Sequence, residues 1–203
     1  MAAARTRGEP AAPRRARMSL PAGASYARRV AGGDINEGWR VILAGGREAF
    51  VKTRPGAVPG EYAAEARGLQ WLAEPGALRT PRVLEVASEY LVLEWVEPGR
   101  LSAEGAEELG HGLAATHTAG ATAFGDPGFG AASFGSLQLP NDPASDWPAF
   151  YGQSRLLPLA RIARERGALS DAGARAVEAV CERLPELAGQ PEPPARLHGD
   201  LWS

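Results

Sequence analysis

The sequence contains almost no lysine, because 22 residues are Lys or Arg and only Lys52 is a lysine. Such a bias is typical of a GC-rich genome, in which arginine replaces lysine wherever function permits. A lysine that remains is expected where a forked guanidinium cannot serve. A compact ammonium on a flexible stem binds phosphate as a point charge. Lys52 is therefore the first candidate functional residue.

Other scarcities exclude whole classes of protein. The one cysteine, Cys181, cannot form an internal disulfide, which favours a reducing compartment and predicts a cytoplasmic protein. No apolar run is long enough to span a bilayer, so we expect no membrane partner. The formal net charge of −2 gives no reason to expect a nucleic-acid partner.

The N-terminal segment is rich in Arg, Ala and Pro and has no apolar stretch. Pro10 and Pro13 would break a helix in it. We predict a disordered tail over residues 1–23, and either Met1 or Met18 could be the true start.

A strand-rich pattern with one helix follows over residues 24–98, which we predict to be an N-terminal lobe. Strands are predicted over residues 28–31, 39–43, 49–53, 82–87 and 90–96, a hairpin turn over 44–47, and a helix over 60–73. Pro98 and Gly99 mark its end.

Residues 99–203 are predicted to form an incomplete helical lobe. Helices are expected over residues 102–118, 146–166 and 170–184. Residues 119–145 read as a long loop on the substrate side. The fold class is therefore α+β, and the chain ends in the sequence His198-Gly199-Asp200-Leu201-Trp202-Ser203.

The order of these features is that of a protein-kinase-like enzyme. Backbone N–H groups of the Gly32-Gly33 turn can cover the phosphates of ATP, Lys52 can neutralise them, and Glu65 can hold Lys52 in place. The segment Glu94-Trp95-Val96 can offer backbone groups to adenine. Asp200 can take the proton of the attacking hydroxyl as catalytic base.

Two further sets of residues have competing interpretations. Trp147 and Tyr151 could form part of an aromatic wall facing a sugar, although aromatic residues at this helical spacing more often belong to a core. His198 is expected to brace the loop before Asp200 through hydrogen bonds, and His117 to be a core histidine.

The residues also resemble those of a known family, the fructosamine kinases (ketosamine-3-kinases), in the aminoglycoside/choline-kinase-like branch of the protein-kinase-like fold. The resemblance covers residues 24–203. It is carried by the segments 32–38, Phe50-Val51-Lys52, 65–69, 91–95, 109–114, 134–136, 146–151 and, most specifically, His198-Gly199-Asp200-Leu201-Trp202-Ser203.

This resemblance implies a two-lobe kinase that uses ATP and Mg²⁺ to phosphorylate the 3-hydroxyl of a ketoamine, on a free or protein-bound adduct, and so promotes deglycation. The family's metal ligands lie in segments expected beyond Ser203, so no metal ligand is assigned here. We therefore expect the 203-residue chain alone to be inactive or poorly soluble.

Two alternatives remain open from the sequence. One is a related phosphotransferase acting on an aminoglycoside, choline or another hydroxyl-bearing amine. The other is a non-catalytic nucleotide-binding remnant. The preferred ketoamine and the oligomeric state do not follow from the sequence.

Overall fold

The computed structural model describes residues 20–30, 36–126, 128, 132–134 and 137–199. The N-terminal part is a five-stranded antiparallel sheet with the order β1-β2-β3-β5-β4. Its elements are β1 (Tyr26–Val30), β2 (Glu37–Ile42), β3 (Glu48–Thr53), α1 (Glu61–Ala73), β4 (Val83–Val86) and β5 (Tyr90–Glu94). The sheet and the helix agree with the sequence prediction, with bounds that differ by a few residues.

The β2–β3 hairpin sets the position of Lys52 in the sheet. Gly45 and Gly46 have φ values of 86° and 82°, a left-handed conformation that suits a tight hairpin with twisted strands. The resulting register pairs Lys52 with Gly38 on β2 and with Leu91 on β5. Lys52 therefore lies on a central strand between two neighbours.

Each face of the sheet has its own apolar cluster. On one face, Val41, Ala49, Val51 and Val92 are fully buried. Because strand residues alternate between faces, Lys52 lies on the other face. There, Leu91 and Leu93 pack against Tyr62 and Ala66 of α1. The predicted apolar stripe of this helix is thus the surface that covers the sheet.

The C-terminal part is mostly helical. It contains α2 (Ala103–Thr118), the short strands β6 (Ala132–Phe134) and β7 (Leu137–Leu139), α3 (Trp147–Tyr151), α4 (Leu157–Glu165) and α5 (Asp171–Leu187). Side chains of Ser102, Asp146 and Ser170 cap α2, α3 and α5 by accepting backbone N–H groups of the first turn. Among the described residues, no helix has the length and apolarity needed to cross a bilayer.

The prediction of one continuous helix over residues 146–166 was wrong. A π-helical turn, Gly152–Leu156, separates α3 from α4. Gly152 is buried against α5, where an added Cβ would lie 3.2 Å from Leu184 Cδ1. The helix widens into a π-helical turn where α5 approaches this closely. The spacing of apolar residues in the sequence does not reveal such a turn.

The segment 119–145 is also more ordered than predicted. Strands β6 and β7 pair in it as an antiparallel hairpin, and Phe124 forms a bridge with Ala144. The Gly, Ala, Pro and Ser content of this segment predicted a loop. Pairing between its strands nevertheless satisfies part of its backbone hydrogen-bonding groups.

The two parts of the chain meet where α2 passes the connection between α1 and β4. Gly112 of α2 is buried there, and an added Cβ would lie 2.8 Å from the Ala77 carbonyl oxygen and would meet the Leu78 side chain. Only a glycine allows this approach.

Candidate functional site

The structure brings Lys52 and Glu65 together as predicted. The ammonium of Lys52 donates hydrogen bonds of 2.8 and 2.7 Å to the two carboxylate oxygens of Glu65. The side chains are 26% and 31% exposed, so one side of the pair remains open to solvent. A partly exposed ammonium held by a carboxylate can still approach an anionic group such as a phosphate.

The N-terminal end of α1 is fixed close to this pair. Arg54, which follows β3, forms an ion pair with Glu61 in the first turn of α1. Burial alone would raise the pKa of Glu61, but hydrogen bonds from Arg54 and from the Val58 N–H outweigh it and lower the pKa. The strand that carries Lys52 and the helix that carries Glu65 are thus joined a second time.

Tyr62 adds a contact from α1 to the segment that precedes β2. Its hydroxyl donates a hydrogen bond of 3.1 Å to Asn36 Oδ1, and burial raises its pKa to about 12. Asn36 directly follows the part of the glycine turn that contains Gly32 and Gly33, which lie outside the described residues.

Sequence reasoning missed the relationship between Phe50 and Gly38. Phe50 lies two residues before Lys52 and on the same face of β3. Its ring covers Gly38, where an added Cβ would lie 2.9 Å from two ring carbons. The half-buried ring therefore forms an apolar surface beside Lys52. The glycine in β2 was the available signal, because glycine in a strand often marks a close approach.

The segment Glu94-Trp95-Val96 divides between the two faces of the sheet. Glu94 pairs with Ala49 and lies on the face opposite Lys52, where its carboxylate accepts hydrogen bonds of 2.7 Å from Arg79 and 3.1 Å from Arg82. These two hydrogen bonds lower the pKa of Glu94. Its side chain is therefore engaged away from Lys52.

Trp95 lies at the edge of the Lys52 face. The Arg40 guanidinium stacks on its ring at 4.5 Å, and its Nε1 donates a hydrogen bond of 2.7 Å to Glu97. Val96, which follows, is 43% exposed. The predicted adenine contacts from these residues would have to come from the backbone.

The predicted catalytic base, Asp200, lies outside the described residues, but the turn that leads to it is described. Gly199 has a φ of 82°, a left-handed conformation that favours glycine. The ring of His198 stacks on that of His117 with centroids 5.5 Å apart and an interplanar angle of 17°. His117 Nε2 is buried without a hydrogen-bond partner in the described part of the chain. Among the described residues, ring stacking on His117 is the contact of His198, and its hydrogen bonding stays a prediction.

A cavity of about 680 Å³ opens beside the approach to this turn. Its walls include Trp71, Phe124, Trp147, Phe150, Arg155 and Arg196. Trp147 lines it directly, whereas Tyr151 stacks on Trp147 at 4.8 Å from outside the lining. Lys52 is not part of the lining that the described residues form. The two predicted substrate-side residues are thus in contact, and one of them faces a cavity.

No group of three His, Cys, Asp or Glu side chains that could hold a metal ion occurs within the described ranges. The part of the site that the structure describes comprises an ion pair, an aromatic surface and the turn before Asp200.

Comparison with protein families and curated proteins gives one consistent result. A family model described as "Fructosamine kinase" matches residues 16–203. A Thermus thermophilus protein named "Probable ketoamine kinase" is 43% identical over 173 residues, which are 84% of this chain and 58% of that protein. "Protein-ribulosamine 3-kinase, chloroplastic" of Arabidopsis thaliana is 32% identical over 162 residues, which are 76% of this chain and 48% of that protein.

Solved structures give the same result for the fold. The crystal structure of a candidate fructosamine-3-kinase from Thermobifida fusca is 41% identical, with a TM-score of 0.77 over 88% of this chain and 62% of that chain. A Haemophilus somnus structure with 20% identity and a TM-score of 0.75 supports the fold alone. The predicted protein-kinase-like fold is confirmed. The chain spans less than two thirds of each of these relatives.

Proposed function

Because this chain belongs to the fructosamine kinase family, we propose that it is built to transfer the terminal phosphoryl group of ATP to a hydroxyl of a ketoamine. The observation that carries the proposal is the Lys52–Glu65 pair, which remains partly exposed to solvent. The names of the relatives describe ketoamines and ribulosamines, which supports the substrate class, and the names that give a position give 3. The chain covers only part of these relatives.

The nucleotide side of the proposed reaction uses residues of the sheet and α1. The Lys52 ammonium would neutralise phosphate oxygens, and Glu65 would hold it in position. The ring of Phe50 offers an apolar surface on which a nucleobase can stack. Backbone groups of Trp95 and Val96 would supply hydrogen bonds to the base, and the Gly32-Gly33 turn would cover the phosphates.

On the acceptor side, Asp200 would take the proton from the sugar hydroxyl. The hydroxyl oxygen then forms a bond to the terminal phosphorus, and the bond to the bridging oxygen breaks to release ADP. The left-handed Gly199 and the stacked His198 support a fixed turn just before Asp200.

Mg²⁺ neutralises charge on the transferred phosphoryl group in enzymes of this kind. The described residues offer no cluster of ligands that fits this ion. No step is therefore assigned through the metal.

The cavity beside Ala195–Leu197 is the place in the described structure that best suits the ketoamine. It adjoins the approach to Asp200 and is lined by the partly exposed aromatic ring of Trp147, a surface on which a sugar can pack. A cytoplasmic location is proposed on the basis of the single cysteine alone.

The function is tested in two stages. First, the 203-residue chain is titrated with a fluorescent ATP analogue, and we expect binding that is lost in Lys52→Ala. Second, phosphoryl transfer to synthetic fructosyl-lysine and ribulosyl-lysine is followed by phosphorus NMR. For this stage the chain is extended at its C terminus with the corresponding segment of the Thermus thermophilus relative.

Each outcome of this second stage discriminates between the functions considered. Transfer to a ketoamine by the extended chain supports the proposal. Transfer only to choline or an aminoglycoside would favour the related phosphotransferase. Nucleotide binding without transfer by either form would leave the non-catalytic remnant as the better description.

A further inference from the structure

Arg196 connects the approach to the predicted catalytic turn with the far end of α1. It lies two residues before His198, and its side chain is 12% exposed. The guanidinium stacks on the Trp71 ring at 4.3 Å, and Nη1 donates hydrogen bonds to the Trp71 carbonyl and, at 2.8 Å, to the Glu74 carboxylate. Together with a hydrogen bond of 3.4 Å from Nε to the Gly120 carbonyl, four contacts thus converge on one largely buried cation.

The position of these contacts on α1 is chemically significant. The last carbonyls of a helix lack partners within the helix, and the C-terminal end carries a partial negative charge that favours a cation. The last turn of α1 contains no basic residue of its own. Arg196 supplies this charge, and a hydrogen bond to the Trp71 carbonyl in addition to that from the Glu74 N–H, from a position 125 residues later than Trp71.

The backbone around Arg196 is tied to α2 and to the segment after it. The Arg196 N–H donates to the His117 carbonyl at 3.4 Å, and Pro194 accepts a hydrogen bond of 3.0 Å from the Ala121 N–H. His117 is also the residue on which the His198 ring stacks. Arg196 is therefore the point at which α1, α2 and the approach to Gly199 are joined.

Helix α1 is consequently held at both ends, with Glu65 between them. Arg54 of the sheet binds Glu61 in its first turn, and Arg196 binds Trp71 and Glu74 at its C-terminal end. A helix of 13 residues transmits a displacement of one end to the rest of its length. A shift of its C-terminal end would thus move Glu65 away from Lys52.

We propose that Arg196 is a positioning residue that couples the Lys52–Glu65 pair to the His198–Gly199 turn. This inference rests on the proposed function for its meaning, because it links the nucleotide side of the site to the acceptor side. Nucleotide binding then further stabilises the turn through α1, and the turn in its stacked conformation strengthens nucleotide binding by the same factor.

The test uses the 203-residue chain and three substitutions. Arg196→Met removes the charge and keeps an apolar stem, Arg196→Lys keeps the charge and removes the fork, and Glu74→Gln removes the acidic partner only. The matched control is Arg183→Met, because Arg183 forms an exposed pair with Glu186 on α5. A fluorescent ATP analogue gives the nucleotide affinity. Hydrogen–deuterium exchange gives the protection of residues 62–74 and 195–199 with and without ATP.

We expect Arg196→Met to weaken nucleotide binding about tenfold, a typical size for coupling between two sites. Arg196→Lys and Glu74→Gln should have smaller effects, and Arg183→Met none. In the unsubstituted chain ATP should increase protection in both regions, whereas in Arg196→Met the increase should be confined to α1. If Arg196 had a purely structural role, its substitution would change the ATP-dependent protection of residues 62–74 and 195–199 alike. Unchanged affinity together with undiminished ATP-dependent protection of residues 195–199 would overturn the proposal.

If the proposed function is wrong, a different result is expected. In that case neither the unsubstituted chain nor Arg183→Met would bind the ATP analogue. The coupling is then measured without nucleotide, and exchange in residues 69–74 and 195–199 should be faster in Arg196→Met than in the control. Equal exchange in the two variants would contradict the link. If Arg196→Met does not fold, Glu74→Gln gives the same comparison with the Trp71 contacts retained.

Discussion

The ring of Phe50 lies against the backbone of Gly38 across the β2–β3 pair, and two of its carbons would be 2.9 Å from a Cβ at position 38. We therefore predict that Gly38→Ala displaces the ring, weakens binding of an ATP analogue, and destabilises the fold by about 1–3 kcal/mol through overpacking. Urea denaturation and nucleotide titration measure the two effects.

A second substitution provides the control for Gly38→Ala. Phe50→Leu removes the ring carbons that an alanine would meet, so the double variant should recover stability relative to Gly38→Ala alone. Nucleotide binding should remain weak in the double variant, because the aromatic surface is absent. Full recovery of binding would show that the ring does not contact the nucleotide.

We expect that arginine at position 52 supports folding but does not support nucleotide binding. In Lys52→Arg the affinity for an ATP analogue should fall at least about tenfold, because a forked guanidinium cannot occupy the place of a compact ammonium held by Glu65. The free energy of unfolding should change by less than about 1 kcal/mol, since the pair is partly exposed. Arg161→Lys, in an exposed pair on α4, is the control and should change neither quantity. Wild-type affinity in Lys52→Arg would contradict the assigned role.

The ion pair of Arg54 with Glu61 predicts a loss of stability in acid. Because the pKa of Glu61 is lower in the folded chain than its ordinary 4.5, the unfolded chain binds more protons as the pH falls below that value. The stabilisation is thus present above pH 4.5 and is lost as the pH falls through the folded pKa.

The measurement is urea denaturation at neutral pH and at about pH 3.5. Glu61→Gln should be less stable than the unsubstituted chain at neutral pH and should lose less stability on acidification. Glu165→Gln, which breaks an exposed pair with Arg161, should have the same acid sensitivity as the unsubstituted chain. An unchanged pH dependence in Glu61→Gln would show that other carboxylates determine it.

Two glycines of α2 should respond to alanine in opposite directions. Gly112→Ala would force a methyl group against Leu78 and the Ala77 carbonyl and should destabilise by about 1–3 kcal/mol. Gly110→Ala has no atom within 4 Å of the new Cβ and should stabilise by about 0.5–1 kcal/mol through helix propensity. Thermal denaturation of both variants shows whether each one is more or less stable than the unsubstituted chain. A change in the same direction for both would mean that α2 does not approach the α1–β4 connection closely.

Trp147 is predicted to affect the ketoamine and not the nucleotide. Trp147→Ala should weaken binding of a synthetic fructosyl amine by about two- to tenfold, the range expected for one aromatic contact, with ATP affinity unchanged. Trp147→Phe keeps an aromatic face and should retain most of the affinity. If Trp147→Ala lowers only the stability, the cluster with Tyr151 and Phe150 serves the core.

The N-terminal sheet and the Lys52–Glu65 pair could be predicted because their signals are local. Turn glycines at positions 45 and 46 and alternation in the flanking strands determine the hairpin, which fixes the face on which Lys52 lies. The stripe of Tyr62 and Ala66 determines which side of α1 meets the sheet.

The parts that sequence reasoning missed all depend on approaches between distant segments. Gly152 widens the helix because α5 is close, and Phe50 has its orientation because Gly38 leaves room for it. Arg196 is one of 21 arginines in the sequence, and only the folded chain shows that its partners are Trp71 and Glu74. No local pattern contains this information.

The π-helical turn at Gly152–Leu156 has a consequence for the evolution of chain length. A π-helical turn holds about one residue more than an α-helical turn, so deleting one residue within it would restore a regular helix and leave the faces of α3 and α4 in their directions. Deleting one residue inside α4 would instead rotate every later side chain of that helix by about 100°. A length difference of one residue should therefore be tolerated in this turn and not within α4. Alignments of relatives should show such differences here, with a small residue kept at position 152.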